Sequence, residues 1–317
     1  MTAPLHVRLV RKQFEAKSIC SFDLEEASGA ALPPFQAGAH IDVHLPGNTR
    51  RQYSIVNDPD DCRQYRIAVL LDPNGRGGSL LMHQLEVGQV LSISPPRNLF
   101  PLDAGAIRHV LFAGGIGITP LLCMATVLAR MGADFELHYS CRSRPAAAFL
   151  AHLEQASFRR HCHVYFDDEA SFVRVDRVLE QWDEGTHAYA CGPTGFMEHV
   201  LSTAHELGLA QTQLHREYFN ASKPSSEANL PFMLQLARSN REFEVFATET
   251  ALEALRRHGM ELPHSCEQGF CGTCLTPVVA GLPDHRDSFL TRAEREANDC
   301  FTPCCSRSKT SRLVVDL

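Results

Sequence analysis

The stretch Cys266-Glu-Gln-Gly-Phe-Cys271-Gly-Thr-Cys274 has the pattern C-x4-C-x2-C, and Cys304 follows it after 29 intervening residues. This is the spacing at which four thiolates hold a plant-type [2Fe-2S] cluster. The two glycines inside the run allow the chain to turn tightly and to aim backbone N–H groups at the sulfurs. The stretch therefore predicts an iron–sulfur domain at the carboxyl end of the chain.

A structural zinc site is the alternative use of these cysteines. Zinc motifs usually present two C-x2-4-C halves, and here only Cys271 and Cys274 form such a half. The spacing therefore favours the iron–sulfur cluster. By position alone Cys300, Cys304 and Cys305 all remain candidates for the fourth ligand.

Length and composition indicate an ordinary globular protein of two or three domains. The chain has 317 residues, of which 44% are hydrophobic and 21% charged. A net charge of −7 without a long like-charge run argues against nucleic-acid binding. The first twelve residues lack the apolar core of a secretory signal. Twelve cysteines, many of them scattered singly, suit a reducing compartment, so we expect a cytoplasmic protein.

Residues 109–129 contain no Asp, Glu, Lys or Arg and approach the length of a membrane span. Gly114, Gly115, Gly117 and Pro120 interrupt this segment. A strand, a glycine turn and a buried helix explain the segment better, and we expect no membrane association.

The chain divides into three blocks and one linker. Residues 1–103 are rich in β-formers between Gly, Pro and Asp turns, with one short helix for which Ser79 is the predicted N-cap. Residues 104–222 alternate strands and helices, which predicts a parallel sheet with helices on both faces. Residues 223–229 are polar and form the linker. Residues 230–317 combine a hairpin, capping-box helices at Thr250 and Thr291, and the cysteine loop.

Two glycine-containing segments in the second block indicate a nucleotide site. Gly114-Gly-Ile-Gly-Ile-Thr-Pro120 joins a predicted strand to a helix, where glycines permit close approach of a pyrophosphate. Pro120 replaces the third glycine of the usual fingerprint and suits a first helical turn. Cys191-Gly-Pro193 follows an apolar strand at the edge where open α/β sheets bind ligands. By context alone, Cys191 could face a nicotinamide ring or simply pack.

Arg51-Gln-Tyr53-Ser54 in the first block has side chains that would suit a flavin, although an ordinary barrel strand could also show them. An arginine suits a phosphate, a tyrosine face suits a flat ring and a serine hydroxyl suits a ring nitrogen. The run Gly75-Arg-Gly-Gly-Ser79 then opens the short helix and can hold a phosphate. Two such glycine-rich sites on separate blocks predict two phosphate-bearing cofactors.

These motifs occur together in the order R-x-Y-S, G-R-G-G-S, G-G-I-G-I-T-P, C-G-P-x-x-x-M and C-x4-C-x2-C. In this order they resemble the phthalate dioxygenase reductase family over the whole chain. The resemblance implies a multidomain protein of α+β and α/β class. Its expected parts are a flavin-binding antiparallel β-barrel, a parallel-sheet nucleotide-binding domain and a β-grasp ferredoxin domain.

The resemblance also implies cofactors and the residues that hold them. It implies FMN at Arg51, Tyr53, Ser54, Gly77, Gly78 and Ser79, and NADH at Gly115, Gly117, Thr119 and Pro120, with Cys191, Gly192 and Pro193 near the nicotinamide and Phe219 near the flavin. Ser54, Thr119 and Cys191 would lie at the reacting rings. The family pattern places the fourth cluster ligand two residues before Ser-Arg, which selects Cys304 beside Cys266, Cys271 and Cys274.

The function implied by the resemblance is that of a reductase component. It would pass electrons from NADH through FMN and the cluster to a Rieske-type oxygenase, in a two-component aromatic-ring dioxygenase or O-demethylase. A stand-alone NAD(P)H flavin or ferric reductase is an alternative, and a non-enzymatic iron–sulfur redox sensor is a second one. The sixteen histidines show no zinc-binding pattern, so core or surface histidines are expected.

Overall fold

A computed structural model describes residues 4–47, 49–75, 77–219, 229–264, 266–290 and 292–317. The chain divides into two compact units, Met1–Phe219 and Asn220–Leu317. Most of the predicted linker lies outside the described residues; its last residue, Asn229, donates a hydrogen bond from Nδ2 to the Ala247 carbonyl (2.9 Å). Arg76 of the glycine-rich run and the predicted cap Thr291 also lie outside them.

The first unit begins with an antiparallel sheet in the order β4-β3-β6-β1-β2-β5, with β7 paired to β3. Its strands are β1 (Leu5–Ala16), β2 (Ile19–Glu26), β3 (Ala39–Leu45), β4 (Thr49–Ser54), β5 (Gln64–Leu70), β6 (Val90–Ile93) and β7 (Arg97–Asn98). Just beyond β4, Ile55 forms an antiparallel bridge with Ile67 of β5. The two ends of the sheet therefore meet, as in a barrel, and alternate strand residues such as Val7, Leu9 and Ile41 fill its interior.

Helix α1 (Gly78–Gln84) lies close to β3, β4 and β5. The N-cap predicted at Ser79 is wrong. Gly77 occupies the cap with φ of +80°, and Ser79 is the second helical residue. A left-handed φ is open to glycine at little cost, so the helix begins two residues earlier than a cap at Ser79 would place it.

The second part of this unit is a parallel sheet in the order β10-β9-β8-β11-β12. Its strands are β8 (Arg108–Gly114), β9 (Asp134–Cys141), β10 (Cys162–Phe166), β11 (Thr186–Cys191) and β12 (Leu214–Glu217). The helices are α2 (Ile118–Met131), α3 (Leu150–Gln155), α4 (Val175–Val178) and α5 (Thr194–Glu206). Strand order reverses between β8 and β11, which is the topological switch point at which such sheets bind ligands.

The apolar segment 109–129 is accounted for by β8, a short 3-10 turn at Gly115–Gly117 and α2. Helix α2 ends at Gly132, whose φ of +65° caps it in the left-handed region. Within the described parts of the chain, no helix has the length and apolar character that crossing a membrane requires.

The second unit is a mixed five-stranded sheet in the order β14-β13-β19-β15-β17, with a separate pair β16-β18. Its strands are β13 (Phe232–Leu236), β14 (Glu242–Val245), β15 (Thr276–Ala280), β16 (Pro283–Asp284), β17 (Cys300–Phe301), β18 (Arg307–Ser308) and β19 (Arg312–Val315). Helix α6 spans Ala251–Arg257 and is capped by Thr250, whose hydroxyl accepts the Glu253 N–H as predicted (3.1 Å). Helix α7 spans Arg292–Ala297. The expected β-grasp arrangement is confirmed.

Candidate functional site: flavin, nucleotide and cluster loops

The four predicted cluster cysteines come together in the second unit. Cys266, Cys271, Cys274 and Cys304 are all buried, at 4–5% exposure. The thiols of Cys271 and Cys304 and the backbone N–H groups of the loop lower the pKa of the Cys266 thiol. Cys304 has Cys266, Cys274 and its chain neighbour Cys305 as hydrogen-bonding neighbours. The Gln268 N–H donates to Cys266 Sγ (3.3 Å). Four converging sulfurs in a loop that supplies backbone N–H groups are the donor set that an iron–sulfur cluster requires.

The other two carboxyl-terminal cysteines are placed differently. Cys305 is partly exposed, and its sulfur lies 3.2 Å from Thr302 Oγ1 and against Gly269. Gly269 has φ of +79°, and a Cβ at this position would overlap the Cys305 sulfur. Cys300 lies on β17, where burial raises the pKa of its thiol to about 11. The geometry thus favours Cys304 as the fourth ligand.

The two predicted nucleotide segments meet at the switch point of the parallel sheet. A Cβ on Gly117 would overlap the carbonyl of Cys191 and approach the backbone nitrogen of Gly192 to 2.7 Å. A Cβ on Gly114 would come within 2.9 Å of Pro193 Cδ. Backbone packs directly on backbone here, which explains why glycine is needed at these positions.

The side chains of this site differ in exposure. Thr119, Pro120 and Cys191 are buried, and the Thr119 hydroxyl donates to the Ile116 carbonyl (3.1 Å). Gly115 and Gly192 are partly exposed, and Pro193 is exposed. Gly115, Gly192 and Pro193 therefore form the accessible surface of this site, while the buried Thr119 and Pro120 lie under the turn.

The predicted flavin segments also adjoin one another. The side chain of Arg51, on β4, lies against the backbone of Gly78 at the start of α1, where a Cβ would come within 2.7 Å of Arg51 Cγ. A guanidinium beside the first N–H groups of a helix suits a phosphate. The Ser79 hydroxyl instead hydrogen-bonds to the backbone of Asp72 (3.1 and 3.3 Å), so its side chain holds the loop.

Sequence reasoning missed the partner of Ser54. The Ser54 hydroxyl donates to Glu217 Oε2 (3.0 Å), across 163 residues of sequence. Glu217 ends β12 and pairs in register with Cys191 of β11. Burial raises the pKa of Glu217 to about 7, against the opposing effect of the Ser54 hydrogen bond. This serine–carboxyl pair links the flavin-binding sheet to the nucleotide sheet, and Phe219 packs nearby against the shared core.

The raised pKa of Glu217 predicts a pH-dependent stability. An unfolded glutamate titrates near about 4.3, so between that pH and about 7 the native protein holds a proton that the unfolded chain has lost. Stability should therefore fall as pH rises through this range, by about 3 kcal/mol in total. Chemical denaturation across this range measures the effect. Glu217→Gln should remove this decrease of stability with pH, and the exposed control Glu154→Gln should keep it. An equal decrease in wild type and Glu217→Gln would contradict a raised pKa for Glu217.

Three family profiles match the chain. Residues 6–101 match the oxidoreductase FAD-binding domain, residues 90–214 the N-terminal domain of the dimethylamine monooxygenase subunit DmmA-like family, and residues 234–309 the 2Fe-2S iron-sulfur cluster binding domain. The match at 234–309 contains all four buried cysteines. This match identifies the four cysteines as part of a [2Fe-2S] cluster-binding domain, not as a structural zinc site.

Whole-chain relatives are also found. A vanillate O-demethylase oxidoreductase of a Pseudomonas species is 50% identical over 95% of this chain and 96% of its own length. The phthalate dioxygenase reductase of Burkholderia cepacia is 38% identical over the full length of both chains. A solved structure of phthalate dioxygenase reductase, described as a modular structure for electron transfer from pyridine nucleotides to [2Fe-2S], superposes with a TM-score of 0.79. The superposition covers 99% of this chain and 98% of the reductase chain, at 37% sequence identity.

The barrel, the parallel sheet and the cluster loop define a flavin- and iron–sulfur-dependent oxidoreductase of the electron-transfer class. Within that class, the chain belongs to the phthalate dioxygenase reductase family. A bound flavin and a plant-type [2Fe-2S] cluster are its cofactors. The residues present fit both groups, since Arg51 adjoins a glycine-lined helix start and four buried sulfurs converge.

Proposed function

We propose that this chain is the reductase component of a two-component aromatic O-demethylase or ring dioxygenase, and that it delivers electrons from NADH to a Rieske-type oxygenase. The observation that carries this is the 50% identity over 95% of the chain with vanillate O-demethylase oxidoreductase. The proposed domains are 1–103 for the flavin, 104–222 for the nucleotide and 230–317 for the cluster. A cytoplasmic location is supported by twelve cysteines that form no disulfide.

Each set of residues contributes a defined task. A bound flavin supplies the conversion between the two-electron chemistry of NADH and the one-electron chemistry of the cluster. Gly115 and Gly117 would admit the pyrophosphate of NADH to the start of α2. Ser54, held by Glu217, would present its hydroxyl at the flavin ring. Orientation of this kind, with little acid–base chemistry, is the contribution expected of the protein.

We propose NADH rather than NADPH as the reductant. Arg142 and Arg144 follow β9, where a 2′-phosphate of NADPH would bind. The Nε of Arg144 lies 3.9 Å from Glu169 Oε1, and the Arg144 guanidinium lies over the Phe166 ring, 4.7 Å from the centroid. Two arginines, Arg144 and Arg159, and two glutamates, Glu154 and Glu169, line a cavity of about 360 Å3 there. The Glu169 carboxylate beside Arg144 reduces the positive charge that a 2′-phosphate would meet.

Reconstitution with a partner tests the function. The purified reductase, a vanillate O-demethylase oxygenase component and vanillate are combined with NADH or NADPH, and product and nucleotide oxidation are measured. We expect NADH-driven demethylation and a higher kcat/KM with NADH. Reduction of cytochrome c without support of any Rieske oxygenase would instead favour a stand-alone reductase. No NADH oxidation with any acceptor would favour a redox sensor.

We propose FMN as the flavin, with its terminal phosphate at Arg51, Gly77 and Gly78. Gly78→Ala should displace the Arg51 side chain and lower the flavin content of the purified protein by about tenfold, since the phosphate would lose a charge-assisted contact. Flavin released by denaturation is identified by mass and quantified. Gly195→Ala is the control, because Gly195 is also a helical glycine and has no heavy atom within 4 Å of its Cβ position. Release of FAD, or full flavin content in Gly78→Ala, would contradict the proposal.

A further inference from the structure

Three potential metal ligands converge at the amino-terminal edge of the parallel sheet. His187 is the second residue of β11, His215 is the second residue of β12, and Asp103 lies in the segment before β8. One nitrogen from each ring and one carboxylate oxygen lie within 4.8 Å of one another. The nucleotide segments lie at the carboxyl ends of the same strands, so this cluster is separate from the redox site.

Packing holds this cluster in place. The His215 ring stacks on buried Tyr189, with centroids 4.4 Å apart and planes at 12°. The Tyr189 hydroxyl accepts the backbone N–H of Asp103 (2.9 Å). Asp103 Oδ1 accepts the Gly105 N–H (2.8 Å), and in the described part of the chain Oδ2 accepts no hydrogen bond. One tyrosine therefore positions two of the ligands and leaves a carboxylate oxygen available, which is the support that metal ligands usually have.

The two imidazoles lie close enough to act together as ligands. His187 Nδ1 and His215 Nε2 are 2.9 Å apart, so one ring donates a hydrogen bond to the other. Zinc binds histidine nitrogen at about 2.0–2.1 Å. Small rotations of these partly exposed rings would let a metal ion take the place of the hydrogen bond between them.

A further nitrogen lies beside the cluster. His109 of β8 is 5% exposed and pairs in register with His187. Its Nδ1 is buried and, among the described residues, has no hydrogen-bond partner. Buried polar atoms normally have a hydrogen-bond partner, so this nitrogen is available to a bound ion or water.

The only comparable histidine–carboxylate group among the described residues suits a cation less well. Glu136, His138 and His163 also bring their ligand atoms within 4.8 Å. There, however, the Arg108 guanidinium lies 2.6 Å from Glu136 Oε1 and neutralises the carboxylate. His138 Nδ1 is already hydrogen-bonded to the Tyr165 hydroxyl (3.0 Å). In the described part of the chain, no arginine or lysine contacts Asp103, so the first cluster keeps its negative charge.

We propose that Asp103, His187 and His215 form a second metal site, which binds a divalent transition ion such as Zn²⁺. Two imidazoles and one carboxylate are a donor set that this class of ion prefers. The ion would tie the segment between the flavin-binding sheet and β8 to the edge of the nucleotide sheet. It would stabilise the first unit, because a ligand that binds only the native state raises stability by linkage.

Zinc titration of the oxidised holoenzyme tests this site. After removal of loose metal, with cluster absorbance checked before and after, ZnCl₂ is titrated by calorimetry and thermal unfolding is followed. We expect one bound ion and a higher Tm. Asp103→Asn and His215→Gln should each weaken binding by about tenfold or more, while the exposed control His199→Gln should leave it unchanged. Asp103→Asn alters only a loop side chain, so it keeps the test valid if His215→Gln fails to fold.

The ligand atoms can be identified independently. Cu²⁺ bound to the same holoenzyme should give an electron paramagnetic resonance spectrum with coupling to two or more nitrogens, and His215→Gln should lose one of them. Binding that survives both Asp103→Asn and His215→Gln, or that is lost only in His163→Ala, would overturn the proposal. These results do not depend on the choice of nucleotide or partner.

Discussion

Cys304→Ser is expected to abolish the visible absorbance of the [2Fe-2S] cluster, whereas Cys305→Ser should keep it. Cys304 is buried beside Cys266 and Cys274. Cys305 is hydrogen-bonded to Thr302 and packs on Gly269. Loss of one of four thiolate ligands removes the geometry and the charge that hold the cluster. The effect on cluster content should therefore be near complete.

The measurement is the visible spectrum together with iron content per flavin. The flavin provides an internal standard, because the first unit that holds it does not contain Cys304 or Cys305. Cys300→Ser serves as a second control, since Cys300 lies on β17 and is partly exposed, unlike the four buried cysteines. A protein that keeps its cluster without Cys304 and loses it without Cys305 would reverse the ligand assignment.

Gly117→Ala should have the second large effect, on reduction of the flavin by NADH. The new Cβ would overlap the Cys191 carbonyl and lie 2.7 Å from the Gly192 nitrogen, so backbone must move on both sides of the switch point. A misplacement of about 1 Å in a reactive complex can cost about a hundredfold in rate. We expect a decrease of that order in stopped-flow flavin reduction.

A matched control exists in the same region. Gly195, in the first turn of α5, has no heavy atom within 4 Å of its Cβ position, so Gly195→Ala should retain the wild-type rate and should not destabilise the helix. Chemical reduction by dithionite should still deliver electrons to the cluster in Gly117→Ala. Unchanged flavin reduction by NADH in Gly117→Ala would show that this backbone contact does not position the nucleotide.

Much of the fold could be read from local patterns. The strand–turn–helix at Gly114–Pro120 and the cysteine loop have spacings that few other structures share, and both lie where they were predicted. Strands β1 and β2 were not predicted individually. Register shifts between Leu9 and Arg11 and between Phe14 and Ala16 break the two-residue alternation of β1, so its periodicity is weak.

The features of the candidate site also fall into two groups, those set by the local sequence and those set by the tertiary structure. The amino-acid sequence by itself determined the domain order, the cluster loop and both glycine turns, because each depends on residues close together in the chain. Only the tertiary structure decided that Ser54 meets Glu217, that Arg51 lies on Gly78, and that Asp103 faces two histidines. These contacts join residues on separate strands and loops. Their distances are set by sheet order and register, which no local pattern specifies.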